Sequence, residues 1–447
     1  MLGQHAAEDL LKRALRASHA DDTQVVITAQ DAFLTRFANN IIHQNVAESD
    51  VEVTIRAVAA KRSGTASTNN LSDEALAETA ARALAHAHQQ PEDPDFPGLP
   101  DPQPIHPVES FDDATAGFSP DARARAVGAL CAMAREKKLN ASGAFHTLAR
   151  EIAIANSHGL IAYHPGTSAD FQTVVTGEDG TGRAQASSWQ VGAIDTDAVS
   201  REAIDTALRA QHPRPIEPGE YTVVVEPYVT DDLLQMLNYT GVSAQAVQEG
   251  RSWMNDRIGQ AVMSPLISIW DDGRDPAGSP LPFDFEGMPR QRVSIVEAGV
   301  IQGPVYDLRT ARKEGRATTG HATPPSMMFV SGPMALNLFV ASGDSSVEEM
   351  IRSTEKGLYI KRFWYTRPVH PRECVVTGMT RDGLFMIENG ELTYPVKNLR
   401  FTQSYVKALA GVQAVSREAR TLMDEFVGAT RVPALKIERF NFTGSTV

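Results

Sequence analysis

Few residues in this chain have the types and spacing that do chemistry, and most of them fall between Tyr221 and Cys374. His321 sits in a glycine-flanked loop, and His370 and Cys374 lie four apart, so a His/His/Cys metal set is conceivable by residue type. Pro368, Pro371 and strand-like flanks exclude the helical i, i+4 arrangement that would put His370 and Cys374 on one face. The plainer reading is a loop histidine and a buried thiol. Cys374 as a nucleophile lacks a base near it in sequence. Asp271, Asp272, Asp275, Asp284 and Glu286 offer oxygens to a hard cation or paired carboxylates for acid–base work. Their spacing matches no EF-hand, and aspartates closing turns account for the cluster more simply. Arg309, Arg312 and Arg316 predict one helix face, read either as a seat for a peptide carboxylate or acidic partner or as a plain surface stripe. Phe363, Trp364 and Tyr365 alternate along a strand, so Trp364 should point away from its neighbours, with core packing and an interface anchor as the alternatives.

The elements that must position these groups centre on Tyr221–Gly241, YTVVVEPYVTDDLLQMLNYTG. Tyr221–Glu226 is a β-branched run suited to a central strand. Thr230 is placed to cap the following helix, with Asp231 and Asp232 in its first turn and Gly241 ending it. Leu233, Leu234, Met236 and Leu237 predict one apolar face against the strand. Upstream, Ala6–Ala17 reads as a helix and Gln24–Thr28 and Phe33–Gln44 as strands around a turn at Ala29–Asp31. Val51–Val58 is a strand with one buried face, and Ser72 caps an alanine-rich helix running to His88. Gln90–Pro107 holds seven prolines and reads as a surface loop. A helix from Pro120 to Lys138 precedes an antiparallel meander from Gly143 to Gln190, and His212–Gly219 is the best domain boundary. Beyond it strands dominate: Leu266–Trp270, a hairpin at Arg292–Pro304, Gly357–Tyr365, Gly383–Glu388 and Leu392–Leu399 joined at Asn389-Gly390, and Ala434–Phe442.

At 447 residues the chain is too long for one ordinary core. A formal charge of −13 argues against a general nucleic-acid binder, and two cysteines, Cys131 and Cys374, fit a reducing compartment. The first residues carry charges throughout and no apolar leader, and no later run approaches a membrane span, so the expected location is cytoplasmic.

Several separated segments resemble the TldD/PmbA family: Asp271-Asp272-Gly273, Asp284–Pro289, Thr318–Pro325, Trp364–Arg367, Thr377–Gly383 with Arg381, Ile387–Pro395, Val396–Ser404 and Pro433–Ser445. In that family the protease subunit carries HExxxH on the helix matching Tyr228–Thr240, and this chain reads Gln235, Met236, Leu237, Asn238, Tyr239, Thr240 in its place. The family's third zinc ligand, a cysteine near the C-terminus, has no counterpart between Gly428 and Val447. Three ligands and the base are missing together, a pattern that resembles the family's metal-free subunit, TldE or PmbA.

The resemblance implies an α+β protein: an N-terminal α/β-type domain with a mixed sheet and long helices over 1–215, and a largely antiparallel β domain over 216–447. It implies no catalytic residue and no metal in this chain, with Gln235, Met236 and Thr240 as a degenerate motif. Zinc is expected in a TldD-like partner of a heterodimer acting on unfolded peptides or peptide precursors. Asp271, Asp272, His321, Trp364 and Arg381 are the candidates for a peptide cleft or interface. Two alternatives stand beside this reading: a self-sufficient homodimeric peptidase with an unrecognised site, and a homodimeric peptide-binding protein.

Overall fold

The computed structural model describes residues 1–327, 332–424 and 428–445. Its first half contains α1 (Gln4–Arg16), β1 (Asp22–Ala38), β2 (Ile41–Ala59), β3 (Arg62–Thr68), α2 (Asp73–Gln89), α3 (Asp113–Ala116) and α4 (Pro120–Glu136). It continues through β4 (Asn140–Asn156), β5 (Ile161–Thr176), β6 (Thr181–Ser188) and α5 (Thr196–Arg209). The six strands form one sheet in the order β3-β2-β1-β4-β5-β6, antiparallel at every pairing. The α+β class holds, but the mixing of strand directions expected here lies in the second half instead. Short hairpins join β1, β2 and β3 and again β4, β5 and β6, and the long connection through α2, α3 and α4 returns β4 antiparallel to β1.

The turn expected at Ala29–Asp31 is absent. Strand β1 runs straight through it, and the chain reverses at Asn39-Asn40, whose φ values of 52° and 61° are those of a tight mirror-image hairpin turn. Gln30 and Asp31 are polar because they lie on a half-buried stretch of sheet, which a turn signal mimics. Helices α1 and α2 cover one end of the sheet, with Leu10, Leu11, Leu76 and Ala80 on Val25, Ile27, Val53 and Ile55. Helices α4 and α5 cover the other end through Leu130, Val127 and Ile204 on Phe37, Phe145 and Phe171. The Ser72 cap expected from sequence accepts the Ala75 backbone N–H, and Ser119 caps α4 in the same way by accepting from Ala122.

The second half contains β7 (Glu220–Val225), α6 (Pro227–Leu237), α7 (Ala244–Gln248), β8 (Ile269–Asp271), β9 (Val293–Glu297), β10 (Val300–Ile301), α8 (Leu308–Lys313) and β11 (Asn337–Val340). After α9 (Val347–Arg352) come β12 (Lys356–His370), β13 (Val375–Glu388), β14 (Glu391–Pro395), β15 (Leu399–Ser404), α10 (Tyr405–Ala410), β16 (Val412–Asp424) and β17 (Gly428–Ser445). Strand β7 pairs in parallel with β12 and antiparallel with β17, so β7, β12, β13, β15 and β17 close into a five-stranded barrel. Phe363, Phe401 and Phe440 cluster in its interior with centroids 4.3 to 5.4 Å apart, in tilted and edge-to-face contacts. The early part of β17 continues the sheet outward through β11, β8, β9 and β10.

The proline-rich segment is only partly a surface loop. Phe96, Leu99 and Pro100 are buried, Phe96 and Leu99 against Val58. Asp93 and Asp95 pair with Arg309 and Lys313 of α8 at 2.7 and 3.1 Å. The segment is a strap joining the two halves. Among the described residues no helix is long and apolar enough to cross a membrane.

Candidate functional site

Helix α6 leaves the end of β7 at the mouth of the barrel. It begins at Pro227, whose missing N–H and fixed φ suit a first helical position. Thr230 is therefore not the cap that the sequence suggests: it lies inside the helix, buried, with its hydroxyl unpaired. Asp231 and Asp232 likewise fall beyond the first residues of the helix. Leu233, Leu234 and Leu237 face the core as expected, but Met236 does not join them fully. It is half-buried beside Gln235, on the side of the helix that also carries Tyr239, 54 % exposed.

Residues five apart stand about 140° around an α-helix from one another. Here Asn238–Val242 winds as a π turn, which advances the chain more slowly and brings positions such as 235 and 240 toward a common side. Gly241 makes this turn fit, since a Cβ there would lie 2.3 Å from Trp253 Cδ1. What the turn positions is not a ligand set. Thr240 is buried and gives its hydroxyl hydrogen to the Met236 carbonyl at 2.6 Å, leaving its oxygen 3.4 Å from Cys374 Sγ. Burial pushes the Cys374 thiol up to about 12, so it stays protonated. Asn238 gives its amide to the Ala335 carbonyl at 2.8 Å.

A second polar group acts on the Cys374 thiol. Asp232 accepts hydrogen bonds from Tyr405 and Thr366, each at 2.6 Å. Tyr405 opens α10 and Thr366 lies in an irregular stretch of β12, so the carboxylate joins three elements around the barrel mouth.

The acidic cluster is structural where it is buried. Asp271 accepts from Arg290 and His321, each at 2.9 Å, and from the Asn337 backbone N–H at 2.7 Å. Asp271 and His321 are thus closed off from any peptide, and His321 shares no site with His370 or Cys374. Burial lowers the His321 pKa despite Asp271, and Nδ1 lies 2.9 Å from both the hydroxyl and the backbone carbonyl of Thr319. Asp272 and Asp275 close turns by accepting the Arg274 and Ala277 N–H groups. Asp284 accepts three backbone N–H groups, and the half-buried Glu286 accepts from Leu308. Burial and the charges of Asp284 and Asp307 raise the Glu286 pKa. The three arginines do not share a helix face, because α8 ends at Lys313. Arg309 and Arg312 hold the strap, and Arg316 lies over the Tyr306 ring.

Trp364 points outward and Phe363 inward, as the alternation requires, but Tyr365 has a φ of 57° at a register break and is exposed as well. Arg362 and Arg381 lie over the Trp364 ring, with guanidinium carbons 4.8 and 5.2 Å from its centroid.

Sequence reasoning missed the network between α5 and the barrel. Lys361 and Arg420 each reach Glu202 at 2.9 Å, Arg420 also meets Tyr228, and Tyr359 meets Glu226. Tyr228 in turn accepts the Gln185 backbone N–H of β6 at 2.9 Å. The members are up to 235 residues apart, and nothing in local spacing signals them.

Three family models match the chain: PmbA/TldA metallopeptidase domain 1 over residues 24–87, the central domain over 113–211 and the C-terminal domain over 218–444. The metalloprotease PmbA of Escherichia coli O157:H7 is 24 % identical over 409 residues, 87 % of this chain and 86 % of that one. A metalloprotease TldD homolog of Buchnera aphidicola is 27 % identical over 240 residues, 53 % of this chain and 48 % of that one. The first three curated relatives match over 48, 44 and 48 % of their own length, so the chain spans about half of each. In fold, TldE from Thermococcus kodakarensis superposes with a TM-score of 0.88 at 20 % identity, covering 98 % of this chain and all of that one. A zinc ion, which the metalloprotease names imply, does not fit the α6 donor set. Thr240 is turned into the protein, Cys374 is a protonated thiol, and among the described residues no three His, Cys, Asp or Glu side chains gather around one point. With matches that run from residue 24 to residue 444, the last of them spanning just over half of the 447 residues, this chain belongs to the PmbA/TldA metallopeptidase family.

Proposed function

We propose that this chain is the non-catalytic, TldE-like subunit of a two-subunit zinc metalloprotease, working in the cytoplasm on unfolded peptides or peptide precursors. A TldD-like partner supplies the zinc. The observation that carries the reading is the state of α6: Gln235, Met236 and Thr240 stand at the motif positions, the chain winds as a π turn over Asn238–Val242, and Thr240 is hydrogen-bonded inward. The division of labour follows a division of the chain at His212–Gly219, into 1–215 and 216–447.

A subunit without its own metal can still hold substrate. The outer edge of β2 from Ile41 to Glu52 pairs with no strand among the described residues, because β3 meets β2 only from Val53 onward. Such an edge can take up the backbone of an extended peptide of any sequence. The deciding experiment is metal analysis and peptide cleavage by the purified chain, alone and with a TldD-like subunit. Cleavage only in the mixture, with zinc only in the partner, is the expected result. Chelator-sensitive cleavage by this chain alone would identify a self-sufficient peptidase, and peptide binding with no cleavage in the mixture a peptide-binding protein.

A further inference from the structure

The molecule is acidic overall, yet the stretch of β12 beyond Ile360 is basic and aromatic. Trp364 is 41 % and Tyr365 64 % exposed, and Val369 lies beside them on the same exposed stretch. Arg362 and Arg381 stack on Trp364, and Arg367 lies 4.5 Å from the centroid of Tyr365. Asp382 is the one carboxylate paired with these arginines among the described residues, 2.7 Å from Arg362 and 3.9 Å from Arg381. Asp382 is itself buried and accepts from Thr181 of β6 at 2.7 Å, so it belongs to the junction with the first sheet rather than to the surface. Arg183 of β6 also stands close enough that it and Arg381, after burial, depress the Arg362 pKa to about 10. Arg183, Arg362 and Arg381 thus gather where the two halves meet, with Asp382 paired to two of them, Asp232 acting on Arg362 and Asp170 on Arg183.

A guanidinium laid on an aromatic face spends its π surface there and keeps its in-plane N–H donors directed sideways, in the fork that fits a carboxylate. The ring also fixes the side chain, so little ordering remains to be done when an anion arrives. We propose that this surface binds the acidic side chains of an extended peptide, so that substrates held by this chain carry Asp or Glu on the segment lying over Trp364. The inference rests on the peptide-presenting reading above and narrows its substrate class.

The test uses the full chain and one unstructured, dye-labelled peptide in Glu-bearing, Gln-bearing and Lys-bearing versions, with binding read by fluorescence anisotropy. The Glu version should bind about tenfold more tightly than the Lys version, and the gap should shrink as salt is raised. Trp364→Ala and Arg381→Gln should each bring the Glu version down to the affinity of the Gln version while leaving the thermal midpoint near that of the parent. Equal affinities for all three versions would overturn the inference and leave peptide presentation standing. Binding of none of them would overturn both. Loss of a dimer in Trp364→Ala, with peptide preference unchanged, would assign the surface to subunit contact and overturn the inference.

Discussion

Tyr405 donates its hydroxyl hydrogen to Asp232 across 2.6 Å, and Thr366 takes the other carboxylate oxygen at the same distance. Despite these bonds, burial pushes Asp232 up to about 6 from an ordinary value of 3.8. The folded state therefore holds this proton after the unfolded chain has released it. The contribution to stability is complete below 3.8 and is lost as pH rises to about 6. Asp232→Asn should abolish that decline. Denaturant titrations of parent and variant should show their stability difference moving against the parent across this window, and a difference independent of pH would rule the account out.

Glu202 is the shared counterion of Lys361 and Arg420. Glu202→Ala leaves Arg420 and Lys361 in a largely enclosed junction with only the more distant Glu226, 3.8 Å from Lys361, where removing one member of an ion pair costs about 3 kcal/mol after allowance for partial solvent access. Equilibrium unfolding should show a loss of that order. Lys361→Met combined with Glu202→Met should recover part of it, since the desolvation cost leaves with the charges.

The strap predicts an asymmetry between its charges and its anchor. Asp93→Ala breaks a half-exposed pair with Arg309 and should cost under about 1 kcal/mol. Phe96→Ala empties the contact with Val58 and should cost roughly 2–3 kcal/mol. Limited proteolysis within 91–107 should quicken in Phe96→Ala and barely change in Asp93→Ala.

Restoring the motif letters on α6 probes how far the site has been dismantled. Glu at position 236 would stand on the half-buried side of the helix, so it need not enter the hydrocarbon core. His at 240 would have to replace a buried hydroxyl packed near Cys374, with overpacking costing about 1–3 kcal/mol. The triple variant Gln235→His, Met236→Glu, Thr240→His should be less stable than the parent and should not cleave an unfolded peptide alone. Chelator-sensitive cleavage by that variant would show that the rest of a catalytic site survives here.

The legible parts of this chain were those decided within a few residues. Ser72 and Ser119 cap their helices because each hydroxyl meets an N–H three positions on, and Asn389-Gly390 turns because both residues tolerate positive φ. The start of α6 was legible in Pro227 but was obscured by Thr230, which satisfies the same cap pattern three residues later. Strand β16 and the length of β1 were hidden because their polar residues face neighbouring strands or half-open sheet rather than solvent loops. The missing metal motif was read directly from three letters. The Glu202 network exists only because the barrel and α5 come together, and the Asp232 network only because α6, β12 and α10 do, which no window of sequence contains.

The double pairing of β7 sets an order of events during synthesis. Val225 meets Ile360 on one side and Leu435 on the other, so the first strand of the barrel waits for the last. A ribosome must add more than two hundred further residues before the ring can shut, and until then β7 and the apolar side of α6 lie open to solvent. The sheet built from residues 22–188 needs nothing that comes later for its own strand pairing and can assemble first. Nascent chains stopped before β17 should consequently hold a folded first sheet and an unclosed remainder, a state that invites chaperone capture and protease attack.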